Sequence, residues 1–266
     1  MSASTRTLSS SPAWQALLAH QRGMAATHMR DLFAADPGRA ARFSMALGGF
    51  YLDYSKHRAS EETLRLLFAL ARQQKVEDWR VRLFEGDHVN NTEDRPALHM
   101  ALRSDAAVFP TGRDVMPQVR EVRARMAEFA QSLREQQVAG ASGQAIGDVV
   151  NLGVGGSDLG PRMAVRALRR HAGGVRVHFV SNADPADLEG VLAGLDPART
   201  LFIIASKTFT TVETMSNARR ARAWLAAGLG DKQNLAAHFA AATAATDKAM
   251  AFGLAKERIF PMWDWV

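Results

Sequence analysis

Apolar positions change their period part-way along this chain. From Pro12 to about Gln74 they recur every three to four residues. The stretch "PAWQALLAHQRGMAATHMRDLF" puts Trp14, Leu17, Leu18 and Met24 on one stripe, the spacing of a helix that buries one face. The stretch "SEETLRLLFALARQQ" opens with Ser60-x-x-Thr63 and carries Glu61 and Glu62 in its first turn, which predicts a capped helix start. Between them "GGFYLDYSKHR" reads as a short strand and a loop. Further on, "NNTEDRPALHMALR" predicts a helix beginning near Pro96 with an apolar face. "GRDVMPQVREVRARMAEFAQSLRE" predicts a long helix with Val119, Val122, Met126 and Phe129 inward. The Ser/Thr-rich residues 1–12 read as a frayed end.

After "AGASGQAIG" the texture shifts to short apolar runs separated by helical stretches. The runs are DVVNLGV (148–154), VRVHFVS (175–181) and TLFIIAS (200–206), at spacings of about 26 residues. Each ends in a turn rich in Gly, Ser, Asn or Asp. Such alternation predicts βαβ units: an α/β fold with a parallel sheet and helices on both faces, behind a helical N-terminal extension. Right-handed crossovers then place every strand's C-terminal end on one rim, where ligands bind. The stretch "NLAAHFAAATAATDKAMAFG" is ambiguous. Its alanines favour helix, whereas a strand over about 237–243 would continue the alternation. The chain closes on the aromatic, strand-like "IFPMWDWV" without a cap, and so reads as stopping inside a domain.

Composition narrows the chemistry. Of 266 residues, 47% are apolar and 23% charged, an ordinary globular balance. No uncharged apolar run reaches the ~18 residues a membrane helix needs, and the N-terminus has no apolar core of a secretory signal. There is no cysteine, which excludes disulfides, thiolate metal sites and thiol catalysis and fits a cytoplasmic location. The net charge is +6. The arginines fall in pairs (Arg169–Arg170, Arg219–Arg220) along helical stretches, without the interleaved aromatics of a base-stacking platform. No nucleic-acid partner is therefore expected. A positive field also favours a small anionic substrate.

Two turns on the predicted rim carry the candidate chemistry. The first, "LGVGGSDLGP", holds Gly153, Gly155, Gly156 and Gly160. A dinucleotide fingerprint would need glycine where Asp158 stands and an acid where the second strand ends in Ser181-Asn182. A nucleotide P-loop would need Gly-Lys-Ser/Thr where the chain has Gly160-Pro161. What remains is a bare backbone. Gly155 and Gly156 allow positive φ, Ser157 can donate a hydroxyl, Asp158 suits a first-turn acid and Pro161 suits a helix start. A tight structural βα turn explains the same residues equally well.

The second turn, in "LFIIASKTFTTVETMSNA", concentrates four hydroxyls and one ammonium in residues 206–211. A phosphate wants donors at that density beside a helix N-terminus. Thr210-x-x-Glu213 matches a capping box, which assigns Glu213 to structure and leaves Ser206, Lys207, Thr208 and Thr211 for an anion. The helix field adds only about 0.3–1 kcal/mol, so most of the affinity would come from Lys207 and charge-assisted hydrogen bonds.

Together these segments resemble the glucose-6-phosphate isomerase family of the sugar-isomerase (SIS) superfamily. "LGVGGSDLGP" is similar to its first signature and "SKTFTTVETMSNA" to its phosphate-binding loop. "LDYSKHR", "NNTEDRPALHMALR" and the terminal "WDWV" follow the family's order. The resemblance runs from about residue 40 to the end. It implies a flavodoxin-like SIS sandwich over 113–266, cut short at its C-terminal end, after a helical extension over 1–112. It supports the strand reading for 237–243.

The implied activity is interconversion of glucose 6-phosphate and fructose 6-phosphate, in glycolysis and gluconeogenesis, through a cis-enediolate. No metal or organic cofactor is implied. The implied substrate-binding residues are Gly156 and Ser157 on the sugar side, and Ser206, Lys207, Thr208, Phe209, Thr210 and Thr211 as the phosphate loop. A homodimer is implied for the full-length protein, with neither membrane nor nucleic acid as partner. Val212 and His57 depart from the family's frequent glutamine and asparagine. The family's Gly-Gly-Arg segment, glutamate base, ring-opening histidine and C-terminal lysine all lie beyond "WDWV", so no catalytic residue is assigned. His99 reads as a core histidine. Asp264, between Trp263 and Trp265, would feel desolvation, but geometry must qualify a base first. An alternative is a non-catalytic sugar-phosphate-binding module. A dinucleotide-dependent oxidoreductase fits least.

Overall fold

The computed structural model describes residues 7–108, 112, 114–171, 173–230 and 234–266. By contact the chain forms two compact units, Met1–Glu85 and Gly86–Val266. Of residues 1–12, expected to fray, 1–6 lie outside the described residues, while Leu8–Ser10 form one 3-10 turn and the first α-helix already starts at Pro12.

In the first unit, α1 (Pro12–Met24) is capped by Ser11, whose side chain accepts from the Trp14 amide. After α2 (Met29–Ala35) and α3 (Arg39–Arg42) come β1 (Ser44–Leu47) and β2 (Phe50–Asp53), an antiparallel pair. The sequence shows only β2, because the polar-to-apolar "SMAL" gives no alternation. Gly48, at φ 56°, supplies the turn between the strands. Helix α4 (Glu61–Gln73) starts at the expected Ser60–Thr63 capping box, and α5 (Val76–Glu85) follows. The loop "DYSKHR" is fastened by the buried Arg39. Its guanidinium donates to the carbonyls of Ser55, His57 and Ala59, each at 2.8 Å, and lies over the Phe43 ring at 4.3 Å.

The second unit is the expected parallel sheet. It begins with α6 (Met116–Arg134) and runs through β3 (Asp148–Leu152), α7 (Gly156–Ala167), β4 (Arg176–Val180), α8 (Pro185–Leu192) and β5 (Thr200–Ala205). It continues through α9 (Val212–Leu229), β6 (Phe239–Thr243), α10 (Thr246–Phe252) and β7 (Ile259–Pro261). The strand order is β4-β3-β5-β6-β7, all parallel. Every residue of β3 is buried, as a central strand covered on both faces requires. Val150, Leu152, Phe202, Ile204 and Phe239 face Leu188 of α8, Leu225 of α9 and Ala249 of α10. Val149 and Leu201 face Leu133 of α6 on the other side.

Three sequence expectations change. The alanine-rich stretch is a strand, because pairing with β5 and β7 and complete burial of Ala240 and Ala241 outweigh helix propensity. Residues 90–103 form an Asn90–Arg95 bridge and only a short 3-10 helix, His99–Arg103. There the Leu98 amide donates to the Trp265 carbonyl (3.1 Å) instead of to its own helix. On α6, Val119 and Val122 are buried as expected, but Met126 is exposed. Among the described residues the buried histidine is His238, which the sequence does not single out. Its ring bonds the Thr200 carbonyl through Nδ1 (2.7 Å) and accepts from the Ala141 amide at Nε2 (2.8 Å). Burial pushes its pKa below the ordinary value, so it packs as a neutral ring.

Candidate functional site

Strands β3 and β5 are neighbours, yet the helices that follow them leave toward opposite faces of the sheet. Helix α9 packs on the Phe202 face. Helix α7 lies on the Phe179 side, its Arg162 guanidinium over the Phe179 ring at 5.1 Å, and Phe179 is the register partner of Asn151, which alternation puts on the same α6 face as Val149. The chain therefore reverses its winding between β3 and β5. In open parallel sheets such a switch point leaves a crevice at the strands' C-terminal ends, where ligands bind. Both turns singled out in the sequence border it.

The β3–α7 turn is tightly built. A Cβ at Gly153 would come within 2.9 Å of the Ser157 carbonyl oxygen. Gly155, with φ 57° and ψ −122°, caps the helix in a conformation open only to glycine. Gly156 has no positive φ, so one glycine rather than the expected pair exploits that freedom. Gly156 and Ser157 are the first two residues of α7. Pro161 does not start the helix but lies inside it. It has no amide to donate to the Ser157 carbonyl four residues back. Asn151 compensates by donating its Nδ2 to that carbonyl at 3.0 Å. Asp158, 3% exposed, is gripped by Arg162 through Nε (3.0 Å) and Nη2 (2.8 Å).

The β5–α9 turn is organised differently. The Ser206 amide donates to the Ala242 carbonyl at 3.1 Å. The Lys207 carbonyl accepts from the Ala244 amide (3.0 Å) and the Thr243 hydroxyl (3.1 Å). These bonds pin the turn to β6. Phe209 takes φ 53°, a left-handed backbone unusual for a bulky residue. Its ring is 4% exposed and meets Phe252 edge-on at 6.0 Å. The four hydroxyls pair off: Ser206 Oγ with Thr211 Oγ1 (3.1 Å), and Thr208 Oγ1 with Thr210 Oγ1 (2.7 Å).

The Thr210–Glu213 capping box does not form. Helix α9 begins one residue later, with Thr211 as N-cap and no side-chain cap. The strained Phe209 shifts the start, and Thr210 turns to Thr208. The first amides of α9 thus have no capping side chain. Lys207 Nζ donates to the carbonyls of Asp264 (2.8 Å) and Val266 (2.6 Å).

Three residues beyond the sequence reading border this turn. Lys248, in the first turn of α10, donates to the Thr208 carbonyl at 3.3 Å. Its position at the start of the helix after the next strand was the available signal. On α9, Thr214 Oγ1 and Asn217 Oδ1 are buried without partners, while Asn217 Nδ2 donates to the Asn182 carbonyl at 2.8 Å. Asp264 does not experience the expected desolvation. Its side chain is 78% exposed, and the flanking Trp263 and Trp265 rings stack on each other instead. His99 is exposed rather than in the core. Among the described residues no cluster of three or more His, Asp or Glu could hold a metal ion.

A family model described as phosphoglucose isomerase matches residues 53–266. A glucose-6-phosphate isomerase 1 from Rhodococcus jostii is 48% identical over 258 residues, which is 96% of this chain and 47% of that protein. A glucose-6-phosphate isomerase from Brucella anthropi is 50% identical over 249 residues, 93% of this chain and 45% of its own length. The chain thus spans about half the length of the curated relatives it matches. Among solved structures, a glucose-6-phosphate isomerase from Chlamydia trachomatis superposes with a TM-score of 0.76 at 24% identity. That match covers 98% of this chain and 49% of the other, and it establishes the shared fold.

Proposed function

The chain belongs to the phosphoglucose isomerase family, and on that premise we propose that it is the phosphate-binding part of an aldose–ketose isomerase for glucose 6-phosphate and fructose 6-phosphate. The observation that carries this reading is the β5–α9 turn at the switch point. It offers four hydroxyls beside a helix whose first amides have no capping side chain. An anion there meets donors already gathered.

In this reading Ser206, Lys207, Thr208 and Thr211 hold the phosphate, and Phe209 and Thr210 shape the loop. Gly156 and Ser157 bound the sugar from the neighbouring strand. Each hydroxyl pair gives up one mutual hydrogen bond and turns its protons to the phosphate oxygens. Lys207 exchanges backbone carbonyls for a charged partner, a stronger bond. The reaction moves a proton between C2 and C1 of the opened sugar through a cis-enediolate. Nothing at this turn is a free carboxylate or imidazole suited to that transfer. Residues 1–266 therefore bind the substrate without turning it over. The active protein is a cytoplasmic homodimer, in which 1–112 is an extension and 113–266 the first sugar-isomerase module.

Calorimetric titration with fructose 6-phosphate tests this. Lys207→Ala is expected to weaken binding by about 1.5–3 kcal/mol, the worth of a hydrogen bond to a charged group. Unchanged affinity would place the phosphate elsewhere. Turnover by 1–266 above the Lys207→Ala background would overturn the reading that this part is inactive.

A further inference from the structure

A basic cavity lies at the β4 edge of the sheet, two strands from β5. It occupies about 570 Å³ between α7 and the edge strand β4, within the size range of small-molecule pockets. Arg162, Val165, Arg166 and Arg169 line it. They follow one another at helical spacing, so one stripe of α7 and the turn after it faces the hollow. The opposite wall is Val175, Val177 and Phe179 from alternate positions approaching and along β4, and the intervening Arg176 and His178 line it as well.

The charges are unbalanced. Arg162 is matched by Asp158. Asp148 is shared by Arg176 (2.8 Å) and His178 (2.9 Å). Arg166 and Arg169 have no acidic partner among the described residues. Arginines scattered on an edge strand can simply discourage edge-to-edge pairing. Here, however, the unmatched pair lines a hollow with apolar sides, Arg166 from α7 and Arg169 from the turn after it. The Arg162 guanidinium already lies over the Phe179 ring at 5.1 Å. Planar guanidiniums present paired N–H donors that suit phosphate and carboxylate oxygens.

We infer that this cavity is an accessory binding site for a small anion carrying two or more phosphate groups, gripped chiefly by Arg166 and Arg169. The inference does not depend on what the β5–α9 turn binds. Two phosphates would engage the two free guanidiniums, and an organic moiety between them would lie along Val165, Val177 and Phe179. A single phosphate would satisfy only one.

Inorganic pyrophosphate is the probe, titrated calorimetrically into the whole chain at low ionic strength. The expected result is a saturable site whose affinity falls at least tenfold in Arg166→Ala/Arg169→Ala. Lys207→Ala should leave that site within twofold, and orthophosphate should bind it at least tenfold more weakly. Both arginines are exposed, so the double variant is expected to melt as the parent does. If it does not, Arg166→Gln/Arg169→Gln is read in its place. Pyrophosphate affinity unchanged in the folded double variant, or lost equally in Lys207→Ala, would overturn the proposal. So would a single-stranded oligonucleotide that binds more tightly than pyrophosphate and loses affinity in the same variant, since that would make the surface a nucleic-acid contact.

Discussion

The β3–α7 and β5–α9 turns leave neighbouring parallel strands and both start helices, yet they satisfy their polar groups in opposite ways. In the first, almost every demand is answered from within. Asn151 supplies the donor that Pro161 lacks, and Arg162 neutralises Asp158. In the second, hydroxyls satisfy one another in pairs, the lysine rests on backbone carbonyls, and the helix start has no side-chain cap. A turn whose groups are bound by fixed, buried partners serves the fold. One whose groups are bound by exchangeable partners can trade them for a ligand. Glycine content by itself does not mark an anion grip, because glycine reports backbone shape and not unspent donors.

This contrast can be broken by substitution. The largest effect is expected for Arg162→Ala, which leaves the Asp158 carboxylate buried and unpaired. Thermal or urea unfolding should show a loss of about 3 kcal/mol, with little change in fructose 6-phosphate affinity if the protein is folded. A loss below about 1 kcal/mol would mean that the pair does not hold the turn. Gly155→Ala comes next. A Cβ there meets nothing within 4 Å, so the cost is purely conformational, about 1–3 kcal/mol of stability. Neutrality would show that the turn relaxes to an ordinary backbone. The smallest effect is expected for Thr210→Val. Without a capping box, unfolding should shift by no more than about 0.5 kcal/mol. A loss of about 1 kcal/mol, the usual worth of an N-cap, would restore the capping box and blur the difference between the turns.

What the sequence made legible follows from local pattern. The runs at 148–154, 175–181 and 200–206 announced β3, β4 and β5, since buried parallel strands are short, apolar and bounded by turns. The Ser60 cap was readable for the same reason: all its partners lie within three residues. Where long-range partners decide, local signals misled. The alanines of β6 look helical until β5 and β7 flank them. The helix expected to begin near Pro96 gives way to a bond between Leu98 and Trp265, more than 160 residues away. At the candidate site, the residue types of 206–211 were legible, but their pairing was not. Phe209 defeats the capping box through its contact with Phe252, on an element after the next strand. Lys248 reaches the site only through tertiary packing, and it is burial rather than residue type that orphans Thr214 Oγ1 and Asn217 Oδ1 on α9.

The aromatic plug at Phe209 has a thermodynamic corollary. A flexible loop must lose conformational freedom when it closes on a ligand, and that loss subtracts from affinity. Here the ring is already seated against Phe252 before any anion arrives, so the ordering cost falls on folding. Loosening the seat from the far side, for instance with Phe252→Ala, should therefore weaken the proposed anion binding chiefly through a more unfavourable entropy. On the proposed reading, the binding strength of this turn is set partly by a hydrophobic contact on its reverse side.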